Sequence, residues 1–268
     1  MILYPNAKIN LGLRILRKRE DGFHDIESIM IPVPIYDILE FTESEEFSYV
    51  QTGIDIPSDG SLGLVERAYE LMKNRYRIGS VSIHLRKQIP IGAGLGGGSA
   101  DAAFTLKGLN DWFDLGLSTE TLACLATELG SDCAFFISNQ PALATGRGEQ
   151  LHPMNVNLTD LFIAVYNPGI HVSTAEAYGA IIPNPTNSIG YQIKPLNEWQ
   201  TYYVNDFEKP VTSVHPEISQ GIQYLLKEGA VYAAMSGSGS SYLGIFEKPP
   251  LNLRNKGLLY SGTCMLPN

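Results

Sequence analysis

Five of the seven residues from Gly92 to Gly98 are glycine. Glycine loses more freedom on folding than any other residue, so such density needs a physical reason. Before the run, Val81, Ile83 and Leu85 alternate as a strand does; after it, Ala100 to Leu109 is alanine-rich and reads as a helix. A glycine loop between strand and helix exposes a row of backbone N–H groups at a helix N-terminus. That arrangement binds phosphate without a cationic side chain. A mobile linker is the alternative, and the regular elements on both flanks count against it. The Walker pattern fails, because Gly98 follows Gly97 where a lysine is required. The dinucleotide pattern G-x-G-x-x-G matches Gly92, Gly94 and Gly97 formally. It also demands a second strand ending in an acidic residue about 20 positions on. Here Asn110 to Gly116 leads into another helix instead.

Composition narrows the classes. The chain has 268 residues, 44% hydrophobic and 18% charged, enough for a sizeable core and too apolar for disorder. Apolar runs such as Leu161 to Tyr166 fall far short of the ~18 residues of a membrane span. Nineteen Lys and Arg against 28 Asp and Glu leave a net charge of −9, which disfavours a nucleic-acid surface. The opening MILYPNAKIN has no charged segment followed by an apolar one, so no signal peptide is read there. Cys124, Cys133 and Cys264 are odd in number with no C-x-x-C spacing, and the five histidines are scattered without HExxH. A disulfide framework and a dedicated metal site are therefore unsupported, and a cytoplasmic setting is expected.

Along the chain, Ile9, Leu11, Leu13 and Ile15 alternate with Lys8, Asn10, Gly12 and Arg14. This is a strand with one buried face, and it puts Lys8 and Asn10 together on the side away from the core. Further strands are expected at 26–33, 38–42, 161–166, 231–235 and 242–246. Helices are expected at roughly 62–75, at 118–129 with Ser118 as N-cap and Gly130 as stop, from a capping box at 173–176, and at 217–227. The stretch 187–204 reads as irregular. Strands and helices mix without strict alternation, which favours an α+β fold in two lobes over a doubly wound sheet.

The run Pro90-Ile91-Gly92-Ala93-Gly94-Leu95-Gly96-Gly97-Gly98-Ser99-Ala100 closely resembles the ATP-binding motif of the galactokinase, homoserine kinase, mevalonate kinase and phosphomevalonate kinase (GHMP) superfamily. Further motifs resemble one branch, the 4-diphosphocytidyl-2-C-methyl-D-erythritol kinases. They are Pro5 to Leu13 with Arg19 to His24, Gly130 to Phe136, Thr145 to Glu149, Val204 to Glu208, and Ser236 to Gly239. They keep the family's order from about residue 5 to 246.

The resemblance implies an α+β fold. Its N-terminal lobe (1–155) is like ribosomal protein S5 domain 2 and carries the glycine loop and catalytic residues. Its C-terminal lobe (156–268) is ferredoxin-like and completes the substrate site. The implied reaction is ATP-dependent phosphorylation of the 2-hydroxyl of a cytidine-diphosphate sugar alcohol, in non-mevalonate isoprenoid precursor synthesis. Asp132 is implied as the catalytic carboxylate and Lys8 as its cationic partner. A carboxylate can take the hydroxyl proton, and an ammonium can stabilise the transferring phosphoryl. Taken alone, Asp132 would read as a helix cap and Lys8 as a solvated strand residue. Asn10 is implied at the acceptor end. Phe23 and Tyr178 are implied to stack on cytosine, His24 to read the base edge, and Thr174 to contact the substrate diphosphate.

Three positions depart from the family pattern. Phe23 stands where tyrosine is usual, and Gly63 stands where an asparagine lies near adenine. Gly98 replaces a serine that binds magnesium in some members, so no protein metal ligand is assigned and Mg²⁺ is expected to arrive with ATP. The rival readings are a mevalonate or homoserine kinase, an NAD-dependent oxidoreductase and a non-catalytic nucleotide sensor.

Overall fold

The structure, a computed structural model, describes residues 1–56, 60–179 and 181–264; the side chains of 174–176 lie outside the description. The strands are β1 (Ile2–Leu3), β2 (Asn6–Lys18), β3 (His24–Tyr36), β4 (Ile38–Glu43), β5 (Ser48–Gly53), β6 (Val81–Lys87), β7 (Ala142–Thr145), β8 (Gln150–Pro153), β9 (Phe162–Tyr166), β10 (Tyr232–Met235), β11 (Tyr242–Phe246) and β12 (Leu258–Thr263). The helices are α1 (Leu64–Tyr76), α2 (Gly97–Trp112), α3 (Thr119–Leu129), α4 (Phe135–Ser138), α5 (Thr174–Gly179), α6 (Trp199–Tyr202), α7 (Glu208–Val214) and α8 (Pro216–Lys227).

The chain divides into two compact units that do not follow sequence order. The first comprises 1–7, 36–91 and 96–140; the second comprises 8–35, 92–95 and 141–268. In the first unit the sheet order is β1-β4-β6-β5. β4 and β6 are antiparallel, and β5 joins β6 in parallel. The inward residues Phe41, Ile83 and Leu85 are fully buried, as are Ala103, Leu106 and Leu109 of α2. Helix ends follow the local chemistry. Glu66 Oε2 accepts from the Gly63 N–H at 2.9 Å ahead of α1, and Ser118 caps α3 by accepting from Thr121 N.

The second unit holds the orders β2-β3-β7-β8 and β10-β11-β9-β12. Leu13, Ile15, Ile26, Tyr166, Phe207, Ile218, Ile222, Leu225 and Phe246 share its core. α8 buries Ile218, Ile222 and Leu225, spaced as one helical face, and begins at Pro216, where a missing N–H costs nothing.

Several expectations change. α2 starts at Gly97, not Ala100, so the last two glycines of the run form its first turn. The stretch 187–204 contains α6, anchored by Trp199, whose indole N–H donates to Lys194 O at 2.9 Å. β12 adds an edge strand against β9 in a region with no legible motif. The strand read from Lys8 to Ile15, β2, is covered on both faces at its start: Lys8 is 4% exposed and Asn10 2%. Period two separates the faces of a strand, but it does not say which faces meet solvent.

Candidate active site

The polar face of β2 is buried because each polar group on it has a partner. Lys8 N donates to Leu95 O of the glycine loop at 2.9 Å. The Lys8 ammonium donates to Asn10 Oδ1 at 2.6 Å. Asn10 Nδ2 donates to Ser28 Oγ at 2.7 Å, and Ser28 donates on to Gly12 O at 2.6 Å. Asn10 N donates to Ser236 Oγ at 3.3 Å, and that hydroxyl donates to Gly94 O at 3.0 Å. A buried ammonium is tolerated when it is hydrogen-bonded, and this chain of bonds sets where the Lys8 charge sits.

The glycine loop has both internal and external causes. Gly94 has φ +77°, and a Cβ there would lie 1.9 Å from Ser236 O. The close approach of the Ser236–Gly239 turn by itself demands a glycine here. Gly96, the N-cap of α2, has φ +71°, where L side chains are strained. Ala93, Leu95, Gly97 and Ala100 are buried and hold the loop. Ile91, Gly92 and Gly98 are exposed, with Pro90, Gly94, Gly96 and Ser99 between. Exposed glycine backbone at a helix N-terminus is what an anionic ligand needs.

Asp132 is half-buried in the turn between α3 and α4. The N-cap position of α4 falls on Ala134, two residues on. Cys133 beside it is buried, and burial pushes its thiol up to about 11 against a hydrogen bond from Ser99. That makes it a packing residue, not a nucleophile. Asp132 lies in the first unit and Lys8 in the second.

His24 and Tyr178 stack at 4.9 Å between centroids, 23° from parallel, and Tyr178 meets Phe207 edge-on at 4.8 Å. Burial, and then the charge of Lys18, hold the His24 imidazole below its ordinary pKa, so it is largely neutral at pH 7. Phe23 is 53% exposed, and the Arg147 guanidinium lies 4.8 Å from its ring centroid. The structure thus brings Tyr178 against His24 and Phe207. Thr174 opens α5, and its side chain is outside the described residues.

Sequence reasoning passed over Ser28 and gave Ser236 no role, though Ser236 stands in a quoted motif. It also missed Lys87, Asp37 and Asp101, three charged residues buried together in the first unit. A signal existed: Asp101, Thr105 and Leu109 share one face of an apolar helix, where a carboxylate is out of place. Asn205 is structural, donating to Met235 O and Gly237 O at 2.8 Å each. Asp206 is structural as well, bound by Arg14 at 3.0 Å and by Ile15 N at 2.9 Å. Among the described residues no group of three His, Cys, Asp or Glu is placed to hold a metal ion. Among them, too, no helix is long and apolar enough to cross a membrane.

Comparison with known proteins locates the site in a family. Residues 63–147 match the GHMP kinases N terminal domain and residues 192–256 the GHMP kinases C terminal domain. The 4-diphosphocytidyl-2-C-methyl-D-erythritol kinase of Parabacteroides distasonis is 47% identical, with 93% of each chain covered. Its counterpart from Cytophaga hutchinsonii is 48% identical over 93% of this chain and 94% of that one. A crystal structure of a 4-(cytidine 5'-diphospho)-2C-methyl-D-erythritol kinase superimposes with a TM-score of 0.76 at 32% identity, covering 93% of this chain and 91% of that one.

Proposed function

Because the chain belongs to the 4-diphosphocytidyl-2-C-methyl-D-erythritol kinase family of GHMP kinases, we propose that it transfers the γ-phosphoryl group of ATP to the 2-hydroxyl of 4-diphosphocytidyl-2-C-methyl-D-erythritol. The step belongs to the non-mevalonate route to isoprenoid precursors and takes place in the cytoplasm. Residues 1–155 carry the nucleotide loop and the catalytic pair, and 156–268 complete the acceptor site. The two matched family domains, ending at 147 and starting at 192, support that division.

Phosphoryl transfer leaves a protein little covalent work; it needs positioning and charge. The acceptor's 2-oxygen bonds to the γ-phosphorus, the bond to the β–γ bridging oxygen breaks, and ADP leaves. Asp132 accepts the hydroxyl proton. Lys8 offsets charge on the transferring group, and Asn10 orients both the ammonium and the acceptor end. Backbone N–H groups between Pro90 and Ala100 cradle the phosphates. Phe23 offers cytosine an exposed stacking face, and Tyr178 offers a second. His24 reads the base edge, and Thr174 binds the acceptor diphosphate. Magnesium is expected to arrive with ATP, where its charge would offset that of the phosphates.

The observation that carries this reading is the Lys8 ammonium, buried and fixed 2.6 Å from Asn10 Oδ1. A strand lysine with no task would reach solvent instead. The deciding experiment is coupled ADP release with three acceptors: the cytidine-diphosphate sugar alcohol, mevalonate and homoserine. Turnover is expected with the first alone. Turnover with mevalonate or homoserine instead would move the chain's activity to another GHMP branch.

A further inference from the structure

The first unit contains a buried ion cluster that no step above uses. Asp37, Lys87 and Asp101 are each at most 2% exposed. Lys87 Nζ donates to Asp37 Oδ2 and, at 2.7 Å, to Asp101 Oδ2. Asp37 Oδ1 accepts from Gln88 N at 2.5 Å and from Ile89 N at 2.9 Å. Asp101 Oδ1 is buried with no hydrogen-bond partner. One ammonium between two carboxylates leaves an excess negative charge in the interior. For stability alone, apolar side chains of similar volume would serve at least as well.

The cluster's position gives it another use. Gln88 and Ile89 lead into the glycine loop, and Asp101 sits one turn inside α2, the helix that follows it. The ammonium also packs against the first residue of α2: a Cβ on Gly97 would lie 2.8 Å from Lys87 Nζ. Asp37 therefore holds the entry to the loop, Asp101 is part of its exit, and Lys87 ties the two together.

We propose that Asp37, Lys87 and Asp101 are positioning residues for the phosphate donor, fixing the span of the glycine loop, and that a proton on Asp101 strengthens donor binding. The inference rests on the reading of the loop as the ATP site. Protonated Asp101 leaves Lys87 balanced by Asp37 alone. Ionised Asp101 adds a negative charge behind the amides that receive an anionic ligand, which opposes binding. Burial, and secondarily the charge of Asp37, push the Asp101 carboxyl up to about 7 against the pull of Lys87. The groups facing it are Lys87 on β6, Asp37 ahead of β4, and Tyr49 on β5. Burial raises the Tyr49 hydroxyl, with further contributions from Asp101, Glu66 of α1 and Asp37.

The test is calorimetric binding of MgATP to the wild-type chain and to Asp101→Asn, from about pH 5.5 to about pH 8.5. Over that range wild-type affinity is expected to fall on the order of tenfold further than that of the variant, which stays neutral. The titration of ATP itself is common to both proteins and cancels in the comparison. Parallel profiles overturn the proposal. Should Asp101→Asn not fold, Asp101→Ser removes the same carboxylate and carries the same comparison. Gly96→Val, which forces a β-branched residue into φ +71°, separates the two levels of the argument. It is expected to weaken MgATP binding. Unchanged affinity in Gly96→Val would remove the loop from the nucleotide site and overturn both readings. Weakened binding there with parallel pH profiles would overturn the ion-cluster inference alone.

Discussion

Asp132→Asn retains shape and much of the hydrogen bonding while removing the group proposed to take the proton. Its kcat is expected to fall by about 10²–10⁴, with both KM values near normal. Lys8→Met is expected to lower kcat as well. Because Lys8 also donates to Asn10, its thermal unfolding must be compared so that a loosened strand is not mistaken for lost catalysis. On the proposed shared role, the double variant is expected to lose much less than the sum of the two logarithms. Full additivity in steady-state kinetics would mean they act separately. Near-wild-type kcat in Asp132→Asn would end its catalytic assignment. Phe23→Ala is expected to raise the acceptor KM by roughly 5- to 150-fold, from ~1–3 kcal/mol per stacked base, and to leave the ATP KM alone. A joint rise in both constants would make Phe23 a folding residue. At this scale the sequence marked Lys8 and Asn10 as neighbours on one strand face, which is local geometry. It had no means of pairing Tyr178 with His24, because that contact joins residues more than a hundred positions apart.

Among the elements, β2 depends most on distant partners. Gly12 N donates to the hydroxyl of fully buried Tyr232 at 3.2 Å, and that hydroxyl donates to Tyr203 O at 3.0 Å. One side chain of β10 thereby satisfies a backbone group of β2 and one beside α6. Tyr232→Phe strands both groups without changing packing volume, and is expected to cost about 1–3 kcal/mol in denaturant unfolding. A loss under about 0.5 kcal/mol would mean that water or a shifted backbone replaces the hydroxyl. Elements whose cues are local were legible in advance: α1, α3 with its Ser118 cap, α8 after Pro216, and the strands β9 to β11. β7, β8 and β12 were not, because short strands of small or mixed residues carry too little periodicity to be read.

For the molecule as a whole, the buried cluster gives stability a pH dependence of definite sign. The folded-state pKa of Asp101 is raised to about 7, whereas an unfolded aspartate titrates near ~3.9. Between those values the folded chain binds the proton more tightly. This contribution therefore favours folding at the acidic end and is lost as pH rises through about 7. Asp101→Asn removes the titration, so the stability of wild type relative to the variant should decline from about pH 5 to about pH 8, read as a shift in denaturant midpoint. A constant difference across that range would mean that Asp101 does not take up a proton on folding. What the amino-acid order determined by itself was local. It set a glycine loop between a strand and a helix, helix ends at capping residues, period-two strands, and motifs whose succession marks a family. Those properties depend on neighbouring backbone and side-chain sterics. Tertiary structure alone decided which polar groups lost water. Lys8 and Asn10 are buried because Asn10 meets Ser236, 226 residues away, and Gly94 must be glycine because a distant carbonyl approaches it. Desolvation depends on what packs against a residue, and no spacing within a single strand or loop encodes that.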